Sequence, residues 1–174
     1  MNDTTNLESL IDQIRAAQNS LQSAKREQFD RRVSFGDLIT DRDKIAASYG
    51  FGAGSTCYDN VLIIGDVVVG EHTWIGPGCV LDGSGGLTIG SHCTICAGSQ
   101  IYTHDAVART ISLGQKPIQR TKTAIGSGVF LGPNTIVQMG VTIGDRVVVG
   151  AQSFVNRSIP SDSRAMGTPA RVIE

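Results

Sequence analysis

The sequence predicts a mainly β fold, a parallel solenoid preceded by a helical segment. Two observations carry the prediction. An aliphatic residue recurs every six positions from Ile63 onward, and helical apolar spacing is confined to the N-terminal stretch. The chain of 174 residues therefore divides into a helical segment over 1–50, a repeat region over 51–160 and a C-terminal tail over 161–174.

In the first segment Leu7, Leu10, Ile11, Ile14, Ala17, Leu21 and Ala24 fall at i, i+3, i+4, i+7 spacing, which gives a helix with one apolar stripe. Thr5 and Glu8 form a capping box at its expected start. A second helix is expected after Ser34, through Phe35, Leu38, Ile39 and Ile45, with Gly50 as its stop. The apolar stripe needs cover from the rest of the chain or from a neighbouring subunit.

In the repeat region the aliphatic series runs Ile63, Val69, Ile75, Leu81, then Ile89, Ile95, Ile101, and resumes at Ile125, Leu131, Val137, Ile143, Val149, Val155. Gly often follows it, and the fifth position of the hexad is small or β-branched, as in Thr73, Cys79, Ser99, Thr135 and Ser153. Two inward residues per hexad and a Gly-containing corner describe a chain that stacks on itself coil after coil. Two extra residues lie between Leu81 and Ile89, within DGSGG, and an excursion over 105–124 separates Ile101 from Ile125.

A net charge of −1 argues against nucleic acid or an anionic membrane as partner. The opening MNDTTNLESL has neither a basic n-region nor an apolar h-region, and no apolar run approaches a membrane span. A cytoplasmic protein with four reduced cysteines is expected.

The hexads, with the C-terminal VTIGDRVVVGAQSFVNRSIPSDSRAMGTPARVI, resemble the hexapeptide-repeat acyltransferases. Thr168 stands where that family's terminal pattern has Asn. The resemblance covers roughly residues 51 to 174 and implies a left-handed parallel β-helix of triangular section, with three hexads to a turn. It further implies acetyl-CoA as co-substrate, a homotrimer with sites between subunits, and an excursion loop reaching a neighbouring subunit.

With three hexads to a turn, residues 18 apart stack on one another, or 20 apart across the DGSGG insert. His104 then lies one coil above Ser84, so the Asp82–Gly86 insert and the start of the excursion share one corner, with Met139 and Gly140 one coil further on. The chain leaves the repeat at His104 to build a loop over that corner. The loop carries Arg109, Lys116, Arg120 and Lys122, which suits an anionic ligand.

The segment IYTHD resembles the family's catalytic-histidine loop, so His104 is the candidate general base that takes the acceptor's proton as it attacks a thioester. Asp105, next in sequence, is the first candidate to orient it. Asp82 is the rival, as orienting group or, with Ser84, as a contact to acceptor hydroxyls. For the cofactor, backbone groups at Gly132, Gly140 and Gly150 are candidates for the pantetheine amides, and Lys122, Arg164 and Arg171 for the phosphates; Arg171 matches the family's terminal Arg. Phe130 stands where many sugar acetyltransferases have Trp.

His72 and His92 occupy corner positions on a different edge and are expected to be exposed. Cys93 and Cys96 have C-x2-C spacing, but Cys93 falls at an inward position and Cys96 at a usual Gly position, so packing explains both and no metal is assigned. Cys79 is also inward, which argues against an acyl-cysteine route.

The function expected is acetyl-CoA-dependent O-acetylation of a sugar or polysaccharide precursor. N-acetylation of a nucleotide-linked amino sugar is the alternative. A γ-type carbonic anhydrase is disfavoured by the missing His-x4-His pair, and a passive scaffold by the interrupted repeat and the basic loop.

Overall fold

The computed structural model describes residues 2–173, with side chains from Asn6 onward. The chain forms two compact units, Met1–Asp41 and Arg42–Glu174.

The first unit holds α1 (Asn2–Phe29) and α2 (Phe35–Ile39). The helix already runs at Asn2, so the Thr5–Glu8 pair does not mark its start, and the Thr5 side chain lies outside the described residues. The apolar stripe forms as the spacing predicts and stands exposed, at 56% for Leu7, 50% for Leu10 and 44% for Ile14. The α1–α2 connection is pinned by Gln22, which donates to Arg31 O at 3.1 Å and accepts from Val33 N–H at 3.3 Å. Lys25 and Arg31 both approach the Phe29 ring, 5.5 and 5.2 Å from its centroid.

One helix expected between Ser34 and Gly50 is two, because Thr40 ends α2. Its backbone is extended, and its N–H and hydroxyl both donate to Gly36 O. The helix α3 (Arg42–Ser48) follows and belongs to the second unit. Gly50 stops it in a left-handed turn, φ +72°: Phe51 N–H donates to Ala46 O and Gly50 N–H to Ala47 O, the paired bonds of a Schellman cap. Phe51 and Ala46 are thereby buried at the first coil of the β-helix.

The second unit is a parallel β-helix with three faces. The first face stacks Thr56–Cys57, Trp74–Ile75, Thr94–Ile95, Phe130–Leu131, Val148–Val149 and Arg164–Gly167. The second stacks Gln100–Ile101, Ile136–Val137 and Phe154–Val155, and the third Thr123–Ile125 and Thr142–Ile143. The strands Leu62–Val69 and Val80–Ile89 run through the corner between these two faces and belong to both. Stacked partners lie 18 residues apart at Thr56/Trp74, 20 at Trp74/Thr94 and 36 at Thr94/Phe130, so the insert and the excursion lengthen two coils without breaking the register.

The core is made by the repeat. From Val69 to Val155 every predicted aliphatic position is at most 3% exposed, and Ile63, in an early coil, is half-buried. The small fifth position satisfies carbonyls at the corners: Thr73 Oγ1 donates to Gly90 O, Ser99 Oγ to Gly132 O and Ser153 Oγ to Gly150 O. The C-terminal tail expected over 161–174 holds a hairpin in its described part, to Ile173. Arg164–Gly167 extends the first face and turns back antiparallel to Ala170–Ile173, with Ala165 buried.

Candidate active site

The site begins with the two-residue insert. The parallel register runs Gly65↔Gly83 and then Val67↔Leu87, so Ser84, Gly85 and Gly86 bulge out of the ladder at the corner between the second and third faces. Glycine is required there, since a Cβ on Gly83 falls on the Asp66 carbonyl. One coil above, the chain leaves the β-helix. His104–Asp105 pairs antiparallel with Gln119–Arg120, α4 (Val107–Ile111) forms the turn between them, and the coil is rejoined at Thr123.

The bulge and the departing strand meet side chain to side chain. Asp82 is fully buried, and its Oδ2 lies 2.6 Å from His104 Nδ1, while the His104 side chain keeps 33% exposure. The same Oδ2 accepts from Thr103 N–H at 2.8 Å, and Oδ1 accepts from Ser84 N–H at 3.0 Å. Burial by itself raises the pKa of Asp82, but the hydrogen bonds from the Thr103 and Ser84 N–H groups, from Ser84 Oγ and from His104 outweigh it. They hold the carboxyl well below the usual carboxylate range. Ser84 Oγ lies 3.3 Å from His104 Nδ1. With Nδ1 turned to a carboxylate, the imidazole presents Nε2 as its free nitrogen.

Asp105 does not take the place expected for it. Its Oδ1 accepts from Val107 N–H at the start of α4, and Asp82 holds the ring instead. Successive side chains of an extended strand point to opposite sides, so the carboxylate adjacent in sequence to His104 is aimed away from it.

Gly140 lies at the His104 corner, with φ +78°, and its N–H donates to Thr123 Oγ1 at 3.1 Å. Gly132 and Gly150 lie on another edge, after the first-face strands, and their N–H groups donate to Val149 O and Ala165 O. All three N–H groups are thus spent within the chain, those of Gly132 and Gly150 on the next coil and that of Gly140 on the Thr123 hydroxyl. Lys122 is exposed and passes over Gly86, so it belongs to the His104 corner, whereas Arg164 and Arg171 lie in the C-terminal hairpin, both exposed. The excursion cations Arg109, Lys116 and Arg120 are exposed.

His72 and His92 are exposed on a third edge, each with φ above 50°, and their rings stack with centroids 5.0 Å apart. Burial, aided by the neighbouring Cys79, pushes the Cys57 thiol up to about 12, and burial pushes Cys79 up to about 11. Cys93 donates to Gly126 O, and burial raises both its pKa and that of Cys96. Among the described residues no three His, Cys, Asp or Glu side chains converge as a metal-binding group, and no helix is long and apolar enough to cross a membrane.

Residues 122–157 match the bacterial transferase hexapeptide model (six repeats), and residues 66–103 match the hexapeptide repeat of succinyl-transferase. Over 109 residues the chain is 36% identical to WcaF of Escherichia coli K12, named for an acetyltransferase role in colanic acid biosynthesis. That alignment covers 62% of this chain and 57% of WcaF. The N-acyltransferase AntD from Bacillus cereus, solved with dTDP-4-amino-4,6-dideoxyglucose and coenzyme A, is 25% identical with a TM-score of 0.65, over 71% of this chain and 70% of that one. A hexapeptide-repeat acetyltransferase from Vibrio cholerae shares the fold over 97% of this chain and 92% of its own, at 23% identity and a TM-score of 0.60. Both repeat models match within the β-helix, so its coils are similar in sequence to the hexapeptide repeats of bacterial transferases, and its fold is shared with solved acyltransferases.

Proposed function

We propose that the protein transfers an acetyl group from acetyl-CoA to a hydroxyl of a sugar or polysaccharide precursor, with His104 as general base. The observation that carries this reading is the His104–Asp82 pair, a partly exposed imidazole whose Nδ1 is held by a buried carboxylate. The similarity to WcaF supports the acetyl donor and the carbohydrate acceptor, and AntD's bound coenzyme A supports the thioester.

In this mechanism Nδ1–H donates to Asp82, which fixes the tautomer and leaves the Nε2 lone pair for the acceptor. The acceptor oxygen attacks the thioester carbonyl as its proton passes to Nε2. The tetrahedral intermediate collapses, the C–S bond breaks, and the departing sulfur takes the proton from Nε2. Asp82 stabilises the imidazolium between the two transfers without being protonated itself. A base so placed contributes about 10²–10⁴ in rate. Ser84 and the open side of the bulge contact acceptor hydroxyls. Lys122, Arg164 and Arg171 neutralise the CoA phosphates, and a homotrimer in the cytoplasm joins the His104 edge of one copy to the C-terminal hairpin of the next.

A second reading, N-acylation of a nucleotide-linked amino sugar, is favoured by AntD, whose complex holds such a sugar. The same base serves both. The test is acceptor-dependent thiol release from acetyl-CoA over a panel of sugars, amino sugars and nucleotide sugars, with each product, freed of acetyl-CoA, treated with alkaline hydroxylamine. An O-acetyl ester is cleaved and an amide survives. No release with any acceptor in the panel, together with no binding of acetyl-CoA, would contradict both readings.

A further inference from the structure

The bulge that carries Ser84 has to be held open by something other than the sheet, and the hydrogen bonds identify what holds it. Ser84 N–H, displaced from the ladder, is taken by Asp82 Oδ1 at 3.0 Å. Gly85 N–H is taken by Thr103 Oγ1 at 2.8 Å. The same hydroxyl donates to Asp82 O at 2.8 Å, and Thr103 N–H donates to Asp82 Oδ2 at 2.8 Å. Thr103 is itself fully buried, and its carbonyl accepts from Thr121 N–H where the excursion returns. One residue therefore ties together the bulge and the backbone of the carboxylate that holds His104, through its hydroxyl, and the returning limb of the loop, through its carbonyl.

We propose that Thr103 is a positioning residue for acyl transfer, acting through Asp82: its hydroxyl fixes the Ser84–Gly85 bulge and the Asp82 main chain so that Oδ2 meets His104 Nδ1. The proposal rests on the reading of His104 as the base. A hydroxyl is needed because the same oxygen must accept from one backbone group, half-buried, and donate to another, buried. Valine, of nearly the same shape, does neither and leaves Gly85 N–H and Asp82 O without partners. Serine keeps both bonds and loses only a methyl group. A small displacement of the base is costly in rate, since a shift of about 1 Å in reacting groups costs up to about 10²-fold.

The test compares Thr103→Val with Thr103→Ser. Thr103→Val is expected to lower kcat by about ten- to a hundredfold with KM for acetyl-CoA within about twofold, and Thr103→Ser to recover kcat to within about threefold of wild type. A second readout needs no activity: the low-field proton resonance of the His104–Asp82 hydrogen bond, assigned by its absence in His104→Gln. It is expected in wild type and Thr103→Ser and lost in Thr103→Val. If Thr103→Val does not fold, hydrogen exchange in the wild-type protein decides, because Gly85 N–H is expected to be protected as a half-buried, bonded amide. Serine falling as far as valine, an unchanged kcat and resonance in Thr103→Val, or exchange of Gly85 N–H at the rate of an open loop would each overturn the proposal. Absence of any acetyl transfer would sink the activity reading and leave the resonance test standing.

Discussion

Asp82 Oδ2 and His104 Nδ1 lie 2.6 Å apart although 22 positions separate them in the chain. One coil of β-helix, lengthened by two residues, brings them together, and the carboxylate adjacent to His104 in sequence is turned to Val107 instead. Asp82→Asn is expected to lower kcat about 10²–10⁴-fold, because an amide that donates to Nδ1 moves the ring proton to Nε2 and removes the base. Asp105→Asn is expected to stay within about threefold of wild type. Steady-state kinetics of the two variants side by side checks the assignment.

The same carboxylate ties stability to pH. Its folded pKa is depressed, chiefly because the Thr103 and Ser84 N–H groups outweigh burial. The stabilisation is therefore fully present above the unfolded aspartate pKa of about 4 and is lost as pH falls through the lower folded value. The difference in unfolding free energy between wild type and Asp82→Asn is expected to shrink from pH 6 to pH 3. Denaturant titrations at three pH values measure it, and a constant difference would contradict the ionised state of Asp82.

The bulge predicts a sharp difference between two glycines. An alanine Cβ at 83 falls on the Asp66 carbonyl, a backbone atom that cannot swing aside, whereas at 78 it meets open space. Gly83→Ala is expected to lose about 3 kcal/mol from overpacking, with activity falling alongside. Gly78→Ala is expected to lose about 1 kcal/mol from its left-handed backbone, φ +68°, and to keep its activity. Thermal melts and acetyl-transfer assays of both variants test this.

Thiol chemistry provides a fourth test. Cys57, Cys79 and Cys93 are buried and their pKa values are raised, the first to about 12 and the second to about 11, so they are protonated thiols at pH 8. Iodoacetamide is expected to leave these three unlabelled in the native protein, as read by mass spectrometry. Acetyl transfer by Cys79→Ala is expected to persist, and its abolition in a folded protein would point to an acyl-cysteine instead of direct attack.

The β-helix is legible in the sequence because its core uses two positions in every hexad, so Leu81, Ile101 and Val137 reveal the register residue by residue. That register also carried Ser84 to His104, since counting 20 residues back across the insert needs no side-chain detail. The orienting carboxylate was harder. Proximity in sequence favoured Asp105, and only the alternation of side chains along the departing strand turns it away. The signal for Asp82 was its place at the entrance to the bulge, directly after the inward Leu81. Gly132 and Gly150 are legible as corner positions, but the uptake of their N–H groups by the next coil depends on strand stacking that the repeat alone does not record. The break between α2 and α3 was hidden because it depends on the bonds Thr40 makes back to Gly36, which apolar spacing does not record.

The central claim is that His104, held by Asp82, takes the acceptor's proton. Acceptor-dependent release of CoA by wild type and His104→Ala tests it most directly. The account predicts a fall of about a hundredfold or more in kcat for the mutant, with the β-helix intact by thermal melt. A mutant that is folded and releases CoA at the wild-type rate would contradict it.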